Sequence, residues 1–203
     1  MNKLDRLFTG SPSGSDYAKR YAANLSDLLA NLDIQAIEKV VEEFLKARDG
    51  GNTIFFVGNG GSAATCSHFA EDLALGTFIN EDKPIKALSL TDNNVFITAL
   101  GNDEGYDNAF VGQLRALFNT GDILVAISGS GNSPNLLKAV EYANKKMGIT
   151  VGITGFDGGK LKNICRYCVN VETGKGEYAP VEDIHLAIGH IISTYLVYKM
   201  REE

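Results

Sequence analysis

Residues 53–75 read TIFFVGNGGSAATCSHFAEDLAL: an uncharged run, a patch of small residues, then apolar positions at helical spacing. Thr53–Val57 is short, β-branched and aromatic, which predicts a strand buried on both faces rather than an alternating, half-wet one. Gly58-Asn59-Gly60-Gly61-Ser62 turns the chain, and a helix is predicted over 62–75. The pattern then recurs. Short apolar runs at Ile85–Leu90, Asp122–Ile127, Ile149–Ile153 and Tyr167–Val171 alternate with candidate helices near 93–100, 107–118, 133–147 and 158–163, and a last helix falls near 181–200. Strands of this kind, each separated by a helix, require right-handed crossovers, so the fold class is α/β with a five-stranded parallel sheet between helices, flavodoxin-like.

Upstream, TGSPSGS (9–15) reads as a loop. YAANLSDLLANLDIQAIEKVVEEFLKARDGGN then carries apolar residues at helical spacing, in one broken or two consecutive helices that the Gly50-Gly51-Asn52 run ends. The chain divides on this reading into a helical segment, 1–52, which packs on the domain or on a partner subunit, and an α/β domain, 53–203. At 203 residues and 44% hydrophobic, it is the size of one well-cored domain. A net charge of −6 argues against a nucleic-acid or anionic-membrane surface, since phosphate-backbone binders carry a basic stripe. No apolar run approaches the roughly 20 residues of a membrane span, and the N-terminus lacks the apolar core of a signal peptide. Three cysteines make no disulfide framework, which suits a reducing, cytoplasmic setting. Cys165 and Cys168 form a lone C-x-x-C without a second ligand pair and read as partly buried packing residues.

In an open parallel sheet, ligands bind outside the carboxyl ends of the strands. Two loops there share one chemistry: Gly58–Ser62 after the first strand, and Ser128-Gly129-Ser130-Gly131-Asn132-Ser133-Pro134 after the third. Both offer small residues, hydroxyls and free amides at a helix N-terminus, which is an anion site, and Pro134 fits a first helical turn. One such loop is commonly just a tight turn; two point to a ligand. Neither G-x-x-x-x-G-K-[ST] nor G-x-G-x-x-G is present, so the phosphate belongs to a small molecule rather than to a nucleoside triphosphate or dinucleotide. His68 and Asp72, four apart, share a helix face and form a metal-ligand or acid/base couple. The last helix adds Glu182, Asp183, His185 and His190, so all three histidines of the chain fall on these two helices.

GNGGS followed by HFAED, then GNDEGYDN, ISGSGNSPN, TGFDGGKL and VEDIHLAIGHII, resembles the SIS (sugar isomerase) domain and, within it, the phosphoheptose isomerase family. The resemblance runs from about residue 20 to the C-terminus. It implies an isomerase interconverting sedoheptulose 7-phosphate and D-glycero-D-manno-heptose 7-phosphate, acting on an open-chain phosphorylated sugar in a homotetramer. The implied setting is bacterial heptose synthesis for lipopolysaccharide, capsule or S-layer glycan. It also implies substrate contacts at Asn59, Gly60, Gly61, Ser62, Asp72, Asn102, Asp103, Ser128, Gly129, Ser130, Ser133 and Glu182, and one Zn²⁺ per site held by His68, Asp72, Glu182 and His190. Asp72 and His190 are the implied acid/base pair, with Glu71 as the alternative carboxylate and His185 as a packing residue. Three positions depart from the family pattern: Asp72 replaces a glutamate, Glu182 a glutamine, and Gly76 an arginine. Glu182 and His190, if in one straight helix, stand about 12 Å apart along its axis. Either Glu182 precedes the helix and bends back, or the zinc ligands come from different subunits. Two other readings compete: a non-catalytic SIS protein resembling the bacterial factor that binds a replication initiator, and an isomerase of another sugar phosphate.

Overall fold

The computed structural model describes residues 2–79 and 83–202. Five strands, β1 (Thr53–Gly58), β2 (Lys86–Ser89), β3 (Ile123–Ser128), β4 (Ile149–Phe156) and β5 (Tyr167–Glu172), form one sheet in the order β2-β1-β3-β4-β5, every pairing parallel. Nine α-helices accompany them among the described residues: α1 (Lys3–Thr9), α2 (Gly14–Ala30), α3 (Ile34–Gly50), α4 (Gly61–Gly76), α5 (Asn94–Asp103), α6 (Val111–Leu117), α7 (Pro134–Lys145), α8 (Leu161–Ile164) and α9 (Tyr178–Arg201).

The period-2 alternation of the strands divides the core into two layers. Ile54, Phe56, Ile123, Val125, Ile127, Val151 and Ile153 face one side, where they meet Phe44 of α3, Phe69 and Leu73 of α4, and the apolar stripe Ile184, Ile188, Ile192, Leu196 of α9. Phe55, Val57, Leu124 and Ala126 face the other, against Phe110, Leu114, the α7 stripe Leu136, Ala139, Val140, Ala143, and Leu161. The uncharged sequences of β1, β3 and β4 follow from this, since a strand with helices on both faces has no wet side. The edge strands β2 and β5 are partly exposed and carry Lys86 and Glu172. Phe56, with no exposed surface and ring contacts to Phe44 and Phe69, anchors the first layer; truncating such a residue to alanine costs roughly 3–5 kcal/mol.

The chain leaves β1 toward β2 and returns on the other side of β1 as β3. The order reverses between β1 and β3, and a crevice opens at their carboxyl ends, at Gly58 and Ser128.

The elements depart from the sequence reading in several places: α2 begins at Gly14, inside the stretch 9–15 expected as a loop, and α8 is shorter than the helix expected near 158–163. The stretch expected as one helix over 107–118 is a 3-10 turn at Tyr106–Asn108 followed by α6. Ala109, Phe110 and Val111 are consecutive and all buried, a run that spans about 200° of a helix and exceeds a single apolar face. β4 runs on to Phe156, and α9 begins at Tyr178. α1 lies where no helix was expected: an Asn2/Asp5 capping box starts it, and the Lys3 N–H donates to the Glu177 carboxylate.

Candidate functional site

The β1 loop delivers Asn59 and then opens α4 through Gly60, whose φ of 56° and ψ of −126° suit only a residue without Cβ. Gly60 offers no side-chain cap, and the first intrahelical donor is Ala63, bonding to the Gly60 carbonyl at 3.0 Å. The Gly61 and Ser62 amides therefore precede the helical ladder at its positive end. The β3 loop repeats the device with Ser133 and Pro134 at the start of α7. Within it the Gly131 N–H donates to Ser128 Oγ (3.1 Å) and the Asn132 N–H to Ser130 Oγ (3.3 Å).

What holds this loop is the TGFDGGK segment behind it. Gly131 lies at φ 63°, where a Cβ would run into the Gly158 carbonyl. The Leu161 N–H donates to the Gly131 carbonyl (3.0 Å), and the Lys160 N–H to Asn132 Oδ1 (3.1 Å). The two loops are in turn joined by reciprocal amide bonds: Asn59 Nδ2 to Asn135 Oδ1 (3.0 Å) and Asn135 Nδ2 to Asn59 Oδ1 (2.9 Å), with Tyr106 Oη also donating to Asn59 Oδ1.

Between the loops lies a cavity of ≈140 Å³ lined by Asn59, Ser62, Ser128, Gly129, Ser130 and Ser133, and closed by Tyr178 and Glu182 from the start of α9. Among the described residues, no lysine, arginine or histidine lines it. The Glu182 carboxylate rests over Gly61, at the N-terminus of α4.

The second group sits on the outer faces of α4 and α9, which pack lengthwise. His68 and His190 approach with their Nε2 atoms 3.5 Å apart and their rings edge to face. Asp72 stands between them, Oδ1 3.7 Å from His68 Nε2 and Oδ2 3.8 Å from His190 Nε2, and Ser193 Oγ donates to Asp72 Oδ2 (3.3 Å). One ligand atom from each of the three residues lies within 4.8 Å of the other two. Two ligands of a tetrahedral Zn²⁺ with bonds near 2.1 Å stand about 3.4 Å apart, so this set of two imidazoles and a carboxylate fits such an ion. The histidine side chains are 46% and 47% exposed, so the group opens onto the surface rather than into an enclosed pocket.

Glu182 is not in this group. It lies in the same continuous helix as His190, two turns nearer the N-terminus, so it does not precede the helix and bend back. Asn102 Nδ2 donates to Asp103 Oδ1 (2.8 Å) at the end of α5, and neither residue lines the cavity. Glu71 is exposed, while His185 is fully buried. A further cavity of ≈260 Å³ adjoins the histidine group, lined by Asp72, Gly76, His190, Ser193, Tyr198 and Arg201 among others. Sequence reading passed over Tyr106, Asn135, Tyr178 and Arg201. Tyr106 and Asn135 lie within the stretches GNDEGYDN and ISGSGNSPN, which is the signal the sequence held, whereas Tyr178 and Arg201 reach the site only through tertiary contacts.

The SIS domain family profile matches residues 16–155. The chain is 41% identical over 142 residues to a phosphoheptose isomerase of Rhodospirillum rubrum, covering 70% of this chain and 74% of that one. It is 38% identical over 187 residues to the phosphoheptose isomerase of Aneurinibacillus thermoaerophilus, covering 88% and 91%. Among solved structures, a phosphoheptose isomerase from Francisella tularensis superposes with a TM-score of 0.78 at 27% identity, covering 98% of this chain and all of that one.

Proposed function

The chain belongs to the SIS-domain family of phosphoheptose isomerases, and from that premise we propose that it interconverts sedoheptulose 7-phosphate and D-glycero-D-manno-heptose 7-phosphate through an enediol. The observation that carries the reading is the convergence of His68, Asp72 and His190 on one surface point, in a chain that also holds a cation-free, amide- and hydroxyl-lined cavity at its sheet's switch point.

In this reading the phosphate sits among the Ser128, Ser130 and Ser133 hydroxyls and the amides opening α4 and α7, where helix dipoles substitute for basic side chains. Asn59, fixed by Asn135, orients the sugar chain. Asp72 and His190 act as the acid/base pair: one takes the proton from the carbon beside the carbonyl while the other protonates the carbonyl oxygen. Reversal of the transfer on the neighbouring carbon completes the isomerisation with no net gain or loss of atoms. His68, Asp72 and His190 would hold Zn²⁺, and the chemistry such an ion supplies is polarisation of the carbonyl oxygen and stabilisation of its developing charge.

A fourth ligand is Glu182 of a neighbouring copy. Within one chain Glu182 and His190 are about 12 Å apart along α9, and the histidine group is open to solvent. The active site then joins the phosphate loops of one subunit to the histidine group of another, in a tetramer. Free thiols at all three cysteines agree with a cytoplasmic enzyme. Gly76 enlarges the cavity beside His190, which also favours a differently substituted sugar phosphate as a second reading.

The test is turnover of sedoheptulose 7-phosphate by chelator-treated protein, with and without Zn²⁺, beside His190→Ala, and with other ketose phosphates in parallel. Zinc-restored turnover that His190→Ala abolishes, together with a zinc-induced rise in Tm that His68→Ala removes, is the expected result. A zinc-loaded tetramer that turns over another ketose phosphate but not this one overturns the substrate. One that turns over none overturns the reaction.

A further inference from the structure

One turn of α9 roofs the cavity between the phosphate loops. Tyr178 and Glu182, four apart, share a helix face and divide that roof between them. The Glu182 carboxylate lies over Gly61 at the start of α4. The Tyr178 ring lies over Gly129 in the serine loop, so close that a Cβ there would stand 3.1 Å from its Cδ1. The loop passes beneath the ring because residue 129 has no side chain.

Two further contacts hold the ring in that place. Phe156, at the end of β4, meets it edge to face, with centroids 5.0 Å apart and planes at 76°. Phe156 does so from a φ of 54°, a left-handed conformation uncommon for an aromatic residue. Such positions persist where the surroundings impose them, and they gather at functional sites. On the other side Glu177 is 3% exposed, and its carboxylate accepts the Lys3 N–H of α1 and the Gly174 N–H, which pins the turn entering α9. Tyr178 itself is 50% exposed, so burial in the core does not account for a ring fixed this firmly.

The chemistry of the cavity says what the ring is for. Neutral hydroxyls and amides hold an anion well only where water is kept out, because hydrogen bonds strengthen as the local dielectric falls. Ile127 and Tyr178 are the apolar side chains on the cavity wall. Ile127 is fully buried, so the Tyr178 ring is the apolar surface between the serine loop and solvent.

We propose that Tyr178 is a further substrate-binding residue, whose ring covers the phosphate end of the sugar on the Ser128–Ser133 loop and keeps water from it. Glu182, over α4, is left to face the other end. The inference rests on the reading that places the phosphate on this loop.

Calorimetric titration of the full chain with glycerol 3-phosphate tests it, beside initial-rate kinetics on the zinc-loaded protein. Ser128→Ala/Ser130→Ala is expected to weaken binding, which locates the phosphate on the loop. Tyr178→Ala is expected to weaken binding by about 10-fold and to raise KM with a smaller change in kcat, since the ring covers the end that does not react. Its residual binding should also fall more steeply with added salt, because charges open to solvent are screened and covered ones much less so. Tyr178→Phe, which keeps the ring, is expected to recover most of the loss. If glycerol 3-phosphate does not bind, or the serine variant leaves binding unchanged, the phosphate is not on this loop and the inference falls with that placement. If the serine variant weakens binding and Tyr178→Ala does not, the role of Tyr178 alone is overturned. Tyr178→Phe falling as far as Tyr178→Ala makes the hydroxyl the contact and overturns the covering role of the ring.

Discussion

The Glu182 carboxylate lies so close over Gly61 that a Cβ on residue 61 would overlap it. Gly61 is the first residue of α4, where a carboxylate is favoured by the helix dipole and where the isomerase reading places substrate. Alanine at a helical position is ordinarily better than glycine by about 1 kcal/mol. The colliding atoms are the tip of a flexible side chain, so the clash is relieved by swinging Glu182 away rather than by moving backbone. Gly61→Ala is therefore expected to unfold in urea within about 1 kcal/mol of the parent. Its turnover should fall to the level of Glu182→Ala, and the double variant should be no slower than either. Turnover that stays at the parental level in Gly61→Ala would show that Glu182 has no part in the site.

Asn135 is 2% exposed; its Nδ2 donates to Asn59 Oδ1, and its Oδ1 accepts from Asn59 Nδ2 and from the Leu136 N–H. It ties the β1 loop to the start of α7 from behind, which in the isomerase reading makes it a positioning residue. Asn135→Leu keeps the volume and leaves Asn59 Nδ2 and the Leu136 N–H without this acceptor, while Tyr106 still donates to Asn59 Oδ1, so a loss of about 1–3 kcal/mol is expected. The kinetic signature is a raised KM with a smaller change in kcat, because Asn59 would still be present but free to rotate. Equal falls in kcat and kcat/KM would instead place Asn135 in the transition state.

How far the site was legible depended on how local its determinants are. Thr53–Val57 and the two Gly/Ser loops carry their structure in adjacent residues, whereas the strand order β2-β1-β3-β4-β5 is a tertiary property that crossover handedness narrows without fixing. His68 and Asp72 are one helical turn apart, and the sequence placed them together by period alone. His190 joins them only because α4 and α9 pack lengthwise, which spacing does not encode and which the family resemblance had to supply. The crossing of Gly131 under Gly158 is equally non-local: the TGFDGG motif was visible, but not that it braces the serine loop. α1 was missed because seven residues hold a helix poorly by propensity, and here a tertiary bond to Glu177 helps to hold it.

His185 makes stability depend on pH. It has no exposed surface, and neither ring nitrogen has a hydrogen-bond partner. Burial pushes its pKa down from 6.5 to about 4, against a contribution from the nearby Thr154 backbone. The folded state thus favours the neutral ring, and the unfolded chain binds the proton first. Its contribution is fully present above pH 6.5, is lost as pH falls from there toward 4, and changes no further below that. A shift of this size corresponds to about 3 kcal/mol. Urea unfolding at pH 7.5 and pH 4.5 is expected to show a drop in the wild type that exceeds the drop in His185→Leu by up to that amount. The leucine variant should also be at least as stable at pH 7.5, because it removes unpaired buried nitrogens. Parallel pH profiles for the two proteins would place the acid sensitivity elsewhere.

Gly76 leaves room beside the histidine group, and Arg201, from the far end of α9, lines the cavity so formed together with Asp72 and His190. Where the resemblance has an arginine on α4, this chain brings one from α9 instead. Arg201 also stands 5.3 Å from the Tyr198 ring centre, so the competing account is a surface cation–π contact worth about 0.5–1 kcal/mol. The two accounts separate in kinetics. If Arg201 meets the sugar, Arg201→Gln lowers kcat/KM about 10-fold, as expected for one charge-assisted hydrogen bond, and leaves the zinc-induced rise in Tm unchanged. Gly76→Arg in that background should then restore part of the loss, by returning a guanidinium to the same cavity from the other helix. If Arg201 only stacks on Tyr198, Arg201→Gln lowers Tm slightly and leaves kcat/KM untouched.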